Sequence, residues 1–352
     1  MKIHHRRGAA LLLALGTGLV LSACGGSDAP SASSAPASTY SCDEPNSDST
    51  TPVSIAMVPI LSAGALYLGD DQGFFAKHGL TMSVENVSAL PATIAAVQGG
   101  STDFAFAGTL PLMQALQGGI PVKIVAPYAG IAPGYYDKMQ AGEDGYTTEI
   151  SALLTMKDSG LDSPGDLDGK TVAVYDVQGQ SELTARYVID NNGGDSDTVK
   201  YVVMPPVDAY NALLAGKVDA AQSGVPFING YEEKGAQVIS WTGVETLKEG
   251  PTSVLIATEK FVESNAETVA RFNCAVREST AYASEHPDDV RAAFAKAADV
   301  DPASVATSVV PYFYDSVDIA GIEKFQKLML DYKFLKGPID LEAAVDPVAT
   351  KQ

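Results

Sequence analysis

Few residues of this chain have the types and spacing that enzymatic chemistry requires. The stretch Gly179-Gln180-Ser181 matches half of the strained turn that presents a nucleophilic serine, but Leu183 stands where the second glycine belongs. After the first 23 residues, the only histidines that could serve as a base are His78 and His286. No group of cysteines and histidines has the spacing of metal ligands. We therefore expect a binding protein rather than an enzyme, with no metal and no cofactor.

The elements that would position a binding site follow an alternating pattern. Apolar strand-like stretches cover Val53–Val58, Leu80–Val87, Val122–Pro127, Thr171–Tyr175 and Val199–Met204. Helix-like stretches cover Gly64–Lys77, Ala92–Gln98, Glu182–Asn191, Asp208–Ala215, Ala266–Glu285, Pro287–Ala298 and Ile319–Tyr332. This alternation predicts an α/β fold whose parallel sheets are covered by helices.

A short motif occurs once in each half of the chain. The first copy is a G-x-x-D stretch from Gly100 to Asp103, which is followed by four residues and then Gly108. The second copy runs from Gly216 to Asp219 and is followed in the same way. An alanine-rich helical pattern precedes each copy, so the first glycine is expected to end a helix in the left-handed conformation. The apolar residues after each aspartate read as a buried strand. The repeat indicates two similar lobes.

Ligands of open parallel sheets bind beyond the carboxyl ends of the strands. That rule selects residues 59–64, 88–90 and 108–110 in the first lobe and 176–181 and 224–227 in the second. Most of these loops lead into helices, whose free N–H groups would face the ligand. The candidate ligand-binding residues are Ser62, Gly64, Ser88, Leu90, Gly108, Thr109, Tyr128, Gln178, Gln180, Ser181, Gly224 and Phe227.

Each candidate also has a purely structural interpretation. A serine at a helix start often only caps the helix, and a glycine after a strand often only makes a turn. Tyr128, Phe227 and Trp241 fit either the wall of a binding site or the core, and Arg186 fits either a solvated helix face or an anion clamp. Because the selected loops contain no lysine or arginine, we expect a neutral or weakly charged organic ligand, or a small anion held by helix ends.

The first 51 residues have the organisation of an export signal and a linker. Lys2, Arg6 and Arg7 precede an apolar run from Ala9 to Leu21, which is too short to span a bilayer as a stable helix. The run ends in Leu21-Ser22-Ala23-Cys24, which resembles the lipobox of bacterial lipoproteins. That resemblance implies a signal peptide over 1–23 and a diacylglycerol on Cys24; an ordinary secretory signal is the alternative. Residues 24–51 are rich in Ser, Ala, Pro and Gly and are expected to form a flexible tether.

Composition limits the partners and the compartment. The 352 residues carry a formal net charge of -20 and 46% hydrophobic residues. This charge argues against nucleic acid or an anionic membrane surface as the main partner. If Cys24 carries lipid, Cys42 and Cys274 remain. An oxidising compartment permits a disulfide between them, and two unpaired thiols are the alternative.

The stretch from Gly64 to Leu80 resembles the opening helix of periplasmic solute-binding proteins of ABC importers. The similar branch binds sulfonates, nitrate, taurine and thiamine precursors. Further stretches that carry the resemblance are Gly100–Asp103, Gly119–Ala126, Asp166–Val174, Pro205–Ala209 and Gly216–Ala220. Gly130–Thr148, which is rich in glycine and tyrosine, has no counterpart in that pattern.

The resemblance implies a two-lobed, type II-like binding-protein fold with two crossover segments, near Pro127–Thr155 and Trp241–Ala257. Lobe 1 would comprise residues 52–128 and 257–352, and lobe 2 residues 129–256. The implied function is extracytoplasmic capture of a small molecule for an importer permease, by a lipid-anchored monomer. A thiamine-precursor-synthesis enzyme is an alternative that requires catalytic His and Cys residues in the cleft, and an extracytoplasmic sensor adaptor is another.

Overall fold

The computed structural model describes residues 40–43, 45, 50–143, 151–224, 228 and 230–350. The predicted signal peptide, Cys24, most of the tether, residues 144–148 of the insert and Phe227 lie outside the described residues. Among the described helices, none is both long and apolar enough to cross a membrane.

The strands are β1 (Thr51–Met57), β2 (Leu80–Asn86), β3 (Phe104–Gly108), β4 (Val122–Pro127), β5 (Ala129–Ile131), β6 (Ser151–Met156), β7 (Thr171–Val174), β8 (Lys200–Val203), β9 (Ala220–Gly224), β10 (Ala236–Ser240), β11 (Gly250–Pro251), β12 (Ser253–Thr258) and β13 (Tyr312–Phe313). The helices are α1 (Gly64–Asp71), α2 (Phe74–Lys77), α3 (Leu90–Gly99), α4 (Thr109–Gln117), α5 (Tyr135–Gln140), α6 (Gln180–Asn191), α7 (Pro206–Leu214), α8 (Thr242–Leu247), α9 (Glu259–Ser264), α10 (Ala266–Glu285), α11 (Pro287–Ala298), α12 (Ile319–Asp331) and α13 (Leu341–Ala344).

Two five-stranded sheets form the framework of the protein. The first has the order β2-β1-β3-β12-β4, and the second has the order β10-β6-β9-β7-β8. Read from β8, the second sheet repeats the order of the first. The α/β class is therefore confirmed, and each lobe is built on one sheet.

The sheets are mixed, which corrects the expectation of purely parallel sheets. In the first sheet β12 runs antiparallel to both β3 and β4, and in the second β6 runs antiparallel to both β9 and β10. Each reversed strand is the one by which the chain enters that sheet after leaving the other. A strand that arrives from the opposite lobe enters from the opposite end, so its direction is reversed.

The aspartates of the G-x-x-D repeat join neighbouring parallel strands. Asp103 accepts hydrogen bonds from the backbone N–H of Ser54 in β1 (2.9 Å) and from its hydroxyl (2.8 Å), and Asp219 accepts one from the N–H of Thr171 in β7 (2.8 Å). Gly100 and Gly216 have φ of 74° and 63°, the left-handed helix ends that the sequence predicted. The repeat is thus confirmed: in both sheets its glycine ends a helix and its aspartate bonds to the neighbouring strand.

The segment from Gly64 to Lys77 is two helices rather than the one predicted helix. The break falls at Gln72 and Gly73, where Gly73 takes a φ of 81°. That conformation is costly for other residues and easy for glycine. It turns the chain so that Phe75 in α2 becomes fully buried.

The crossing segments pair with each other in a small sheet of order β11-β5-β13. A Cβ on Gly130 would lie 2.3 Å from the carbonyl oxygen of Gly250, so glycine is required for this close approach. The predicted insert begins in β5 and continues into α5. The predicted lobe boundary at 256/257 falls inside β12, which pairs with β3 and β4 of the first sheet.

The end of the predicted tether is attached to the body, which corrects its expected flexibility there. Cys42 is bridged to Cys274 of α10, with Cα atoms 5.4 Å apart. The Tyr40 hydroxyl lies 2.8 Å from Nδ1 of His78, a residue with no exposed surface. Residues 40–43 are called the strap below. β1 begins at Thr51, the last residue of the predicted tether.

Apolar residues bury both faces of each sheet. Alternate residues of β1 and β3 divide between two clusters, with Ile55 and Phe104 on one face and Ala56 and Ala105 on the other. The second sheet has the same arrangement. Strands buried on both faces read as continuous apolar runs, and this pattern located β1 and β4 correctly. It did not mark β6 and β12, which are buried in the same way.

Candidate functional site

At the carboxyl end of β1, Ser62 is buried and Tyr128 supports the loop that carries it. The Tyr128 hydroxyl donates a hydrogen bond to the Ser62 carbonyl oxygen at 2.5 Å. Tyr128 is completely buried between Phe106 and Phe313, and burial raises the pKa of its phenol. Of its two interpretations, the structure therefore supports core packing. The Ser62 hydroxyl is buried and has no partner among the described residues, so it is the unsatisfied polar group of this loop.

Gly64 and Thr109 are engaged by the protein itself. A Cβ on Gly64 would lie 2.4 Å from the carbonyl oxygen of Val290 in α11, so this glycine allows two helices to approach closely. The Thr109 hydroxyl donates to the Pro251 carbonyl (3.0 Å), and its N–H donates to the Thr252 carbonyl (2.9 Å). Both donors of Thr109 thus hold the start of α4 against the chain that enters β12.

The other first-lobe candidates form a rim at the start of α3 and α4. Ser88 is exposed, Leu90 is partly buried and Gly108 is buried. A Cβ on Gly108 would lie 3.3 Å from Cδ1 of Leu90. Of these residues, Ser88 has the side chain most accessible to a solute.

In the second lobe, the turn between β7 and α6 is held by its own polar groups. The Ser181 hydroxyl accepts a hydrogen bond from the N–H of Tyr175 (2.8 Å), and the N–H of Ser181 donates to Asp176 (3.0 Å). Burial raises the pKa of Asp176. Gln178 has a φ of 59°, and its N–H donates to Glu182 at 2.8 Å. The Ser181 hydroxyl therefore serves the turn, while Gln180 remains partly exposed at the helix start.

Helix α4 of the first lobe contacts the predicted loop between β7 and α6 of the second lobe. The side-chain amide of Gln114 in α4 donates to the Gln178 carbonyl oxygen at 2.9 Å. Leu183 of α6 packs within an apolar cluster built mainly by the first lobe. α4 and the start of α6 therefore lie on opposite sides of the boundary between the lobes, which is called the cleft below. Sequence reasoning missed Gln114, because a polar residue on an amphipathic helix carries no signal of such a contact.

Two polar residues of β9 were also missed. The amide of Gln222 donates to the hydroxyls of Thr184 (2.9 Å) and Thr242 (2.8 Å). The Gln222 carbonyl oxygen and the Ser223 hydroxyl are buried, and neither has a hydrogen-bond partner in the described part of the chain. Gly224, a predicted residue, follows them and is buried. The sequence did contain a signal for these two residues, because adjacent Gln and Ser interrupt a buried strand that otherwise consists of small residues.

Several other candidate groups have structural roles. Arg186 is neither a free anion clamp nor fully solvated, since it pairs with Glu182 (2.7 Å) and Asp197 (3.0 Å). Trp241 is partly buried against the core of the second lobe. His286 stacks on Tyr282, at a centroid distance of 3.9 Å. The described residues contain no cluster of His, Cys, Asp and Glu suited to a metal ion.

Known proteins with a similar fold include both binding proteins and an enzyme. The aliphatic sulphonate-binding protein SsuA of Escherichia coli is 17% identical, with a TM-score of 0.66 over 84% of this chain and 97% of its own. The desulfurization enzyme DSZB is 15% identical, with a TM-score of 0.57 over 84% of this chain and 96% of its own. These likenesses establish the periplasmic-binding-protein fold.

Comparison of sequences gives a more specific relationship than the shared fold does. The nitrate/nitrite-binding protein NrtA of Nostoc sp. is 24% identical over 271 residues, which are 73% of this chain and 59% of that protein. The chain thus spans less than two thirds of this relative's length. The profile of the NMT1/THI5-like family matches residues 62–133 and 143–290, more than half of the sequence. The chain belongs to the NMT1/THI5-like family.

Proposed function

We propose that this protein is an extracytoplasmic solute-binding protein that captures a small organic solute between its lobes and delivers it to an ABC importer. The observation that supports this most directly is the contact between Gln114 and Gln178, which joins a helix of the first lobe to a strand-end loop of the second. A ligand that touches both lobes stabilises the closed arrangement because it binds that arrangement better than the open one.

The polar groups near the cleft indicate how the ligand is held. Ser62, Gln222 and Ser223 each have a buried oxygen without a hydrogen-bond partner in the described residues. Leaving such groups unpaired costs about 1–3 kcal/mol each, and a ligand hydrogen bond would remove that cost. The loops contain no lysine or arginine, so hydroxyls, amides and backbone N–H groups are the donors. The ligand is a neutral or weakly charged organic molecule, or a small anion held by helix ends.

The enzyme alternative finds little support in the positions of the reactive side chains. His78 is enclosed by Tyr40 and Glu278, and Cys42 and Cys274 are bonded to each other. His286 bonds to the Tyr282 carbonyl oxygen within α10 (2.8 Å). The described histidines and cysteines are therefore engaged outside the loops that form the cleft, and a binding role without turnover is the function that we propose.

We further propose that the protein is a monomer held at the outer face of the membrane by a lipid on Cys24. The motivation is the apolar run that ends in Leu21-Ser22-Ala23-Cys24. Fifteen residues lie between Cys24 and Tyr40, and their small, polar composition suits a flexible linker. The strap fixes where this linker leaves the body. An extracytoplasmic sensor adaptor would share this anchor, and it would differ in lacking an importer partner.

Thermal melting with candidate solutes tests the proposal. Sulfonates, taurine, nitrate and pyrimidine thiamine precursors are added separately, and a true ligand stabilises the fold by about 2.7 kcal/mol at a hundredfold excess over its dissociation constant. Turnover of any of these solutes by the purified protein would contradict the proposed function.

Two glutamines of α4 provide a matched pair of variants. Gln114→Ala removes the contact with the second lobe, so it should weaken ligand binding several-fold with little loss of stability. Gln117→Ala is the control, because Gln117 bonds to Gly337 and Lys336, away from the cleft. Equal affinity in the two variants would show that the ligand does not require closure at Gln178.

A further inference from the structure

The strand-end loops from which the candidate site is built contain a single charged side chain, that of Asp176. They contain no lysine or arginine, and the acidic residue that directly follows one of them, Glu182, is paired with Arg186 at 2.7 Å. These loops are residues 59–64, 88–90, 108–110, 176–181 and 224–227. The one formal charge that they carry is therefore negative.

Asp176 is partly buried and has no cationic partner. It lies in the turn between β7 and α6, where the Gln178 carbonyl oxygen accepts the hydrogen bond from Gln114 of the first lobe. In the part of the chain that the structure describes, no lysine, arginine or histidine forms an ion pair with this carboxylate. Burial raises the pKa of Asp176. Because carboxylates that are removed from water are normally paired, a cationic ligand would supply the partner that the protein does not.

The same carboxylate occupies the positive end of α6. Asp176 accepts hydrogen bonds from the backbone N–H of Ser181 (3.0 Å) and from that of Glu182. The Glu182 side chain in turn accepts one from the N–H of Gln178 at 2.8 Å. The N–H groups that could hold an anion at this helix start are thus bonded to carboxylates. An anionic ligand would have to displace these carboxylates or lie against them.

The other helix starts that follow strand ends are also poor in free N–H groups. Proline has no N–H, and it stands in the first turns of α3 (Pro91), α4 (Pro111) and α7 (Pro206). The N–H of Thr109, the first residue of α4, donates to the Thr252 carbonyl oxygen at 2.9 Å. These loops therefore offer an anion neither a cationic side chain nor a full set of helix N–H groups.

We propose that the solute bound at the turn between β7 and α6 is a small organic cation, whose ammonium, amidinium or guanidinium group pairs with Asp176. The inference rests on the proposed function and narrows its ligand class from neutral, weakly charged or anionic solutes to cations. The net charge of -20 favours the approach of cations over longer distances, which adds to the same preference.

Three four-carbon probes of different charge test this preference: butylamine, which is protonated at neutral pH, butanamide and butane-1-sulfonate. Each is titrated against the mature protein at constant ionic strength, and saturable stabilisation in thermal melting reports binding. We expect butylamine to bind about tenfold or more tightly than either other probe. Tighter binding of butane-1-sulfonate would overturn the inference and leave the proposed function standing. Binding of none of the three would also overturn the cation site, and the solutes named for the proposed function would test that function separately.

Variants then locate the bound butylamine. Asp176→Asn keeps an oxygen that can accept the N–H of Ser181 but removes the charge, so it should weaken butylamine binding about tenfold or more. Val177→Lys, at a position that is 53% exposed, places a cation beside the intact carboxylate and should weaken the binding as well. Asp166→Asn is the control, because Asp166 accepts the N–H of Ser163 (2.8 Å) at the opposite end of β7 and should not affect binding. If Asp176→Asn does not fold, Val177→Lys decides alone, and undiminished butylamine binding in that variant would overturn the proposal.

Discussion

Replacement of Cys42 by serine is the most informative test of how the strap is held. The bridge from Cys42 to Cys274 attaches the strap to α10, whose Cys274 is only 3% exposed. Cys42→Ser removes this link and leaves the packing of the two sheets intact. We expect the variant to fold, with a lower free energy of unfolding than the parent protein.

The size of the effect follows from the separation of the two cysteines, 232 residues. A cross-link reduces the conformational entropy of the unfolded chain, and the loop-entropy relation gives about 5 kcal/mol for a loop of this length. Measured values for disulfides are generally about 2–4 kcal/mol. We therefore expect Cys42→Ser to lower the free energy of unfolding by about 2–5 kcal/mol.

Urea unfolding of the mature protein, with and without reductant, measures this difference. Reductant should lower the unfolding midpoint of the parent protein and leave that of Cys42→Ser unchanged. Thiol titration of the denatured, unreduced protein is the direct check. Two titratable thiols, or equal midpoints for parent and variant, would refute the reasoning.

Three further predictions concern packing, pH and the anchor. Gly69→Ala would place a Cβ 1.8 Å from Oγ of Ser279. Such overpacking should lower the free energy of unfolding by about 3 kcal/mol, measured by chemical denaturation. Gly99→Ala is the control and should cause no loss, because a Cβ there meets no atom within 4 Å. Burial lowers the pKa of His78 below 6.5, even though Glu278 opposes the shift. As the pH falls, the unfolded chain therefore binds a proton at this histidine before the folded protein does. The free energy of unfolding should then decrease as the pH drops below about 6.5. His78→Gln should flatten that dependence in melting curves, and an unchanged slope would assign it to another group. Cys24→Ala should release the protein from membranes or leave its signal uncut, and unchanged fractionation and migration would exclude the lipid.

The sequence by itself determined the local elements and the repetition of the lobes. Apolar periodicity located most helices and strands to within a few residues, because strands covered on both faces leave continuous apolar runs. It missed β6 and β12, although both are buried on two faces. The G-x-x-D motif also carried reliable information, since its glycine and its aspartate act within short distances of the helix end and strand start that they connect. Asp103 and Asp219 perform the same task in the two sheets.

Only the tertiary structure decided how these elements are arranged around the cleft. Insertion of β12 between β3 and β4 depends on contacts between residues more than a hundred positions apart, which no local pattern records. The same holds for the bridge between Cys42 and Cys274 and for the meeting of Gln114 with Gln178. The tertiary structure also decided that Tyr128, Thr109 and Ser181 bond to the protein itself, whereas the hydroxyls of Ser62 and Ser223 have no partner among the described residues. Hydrogen-bond satisfaction depends on every neighbour of a buried group, and those neighbours come together only when the chain folds.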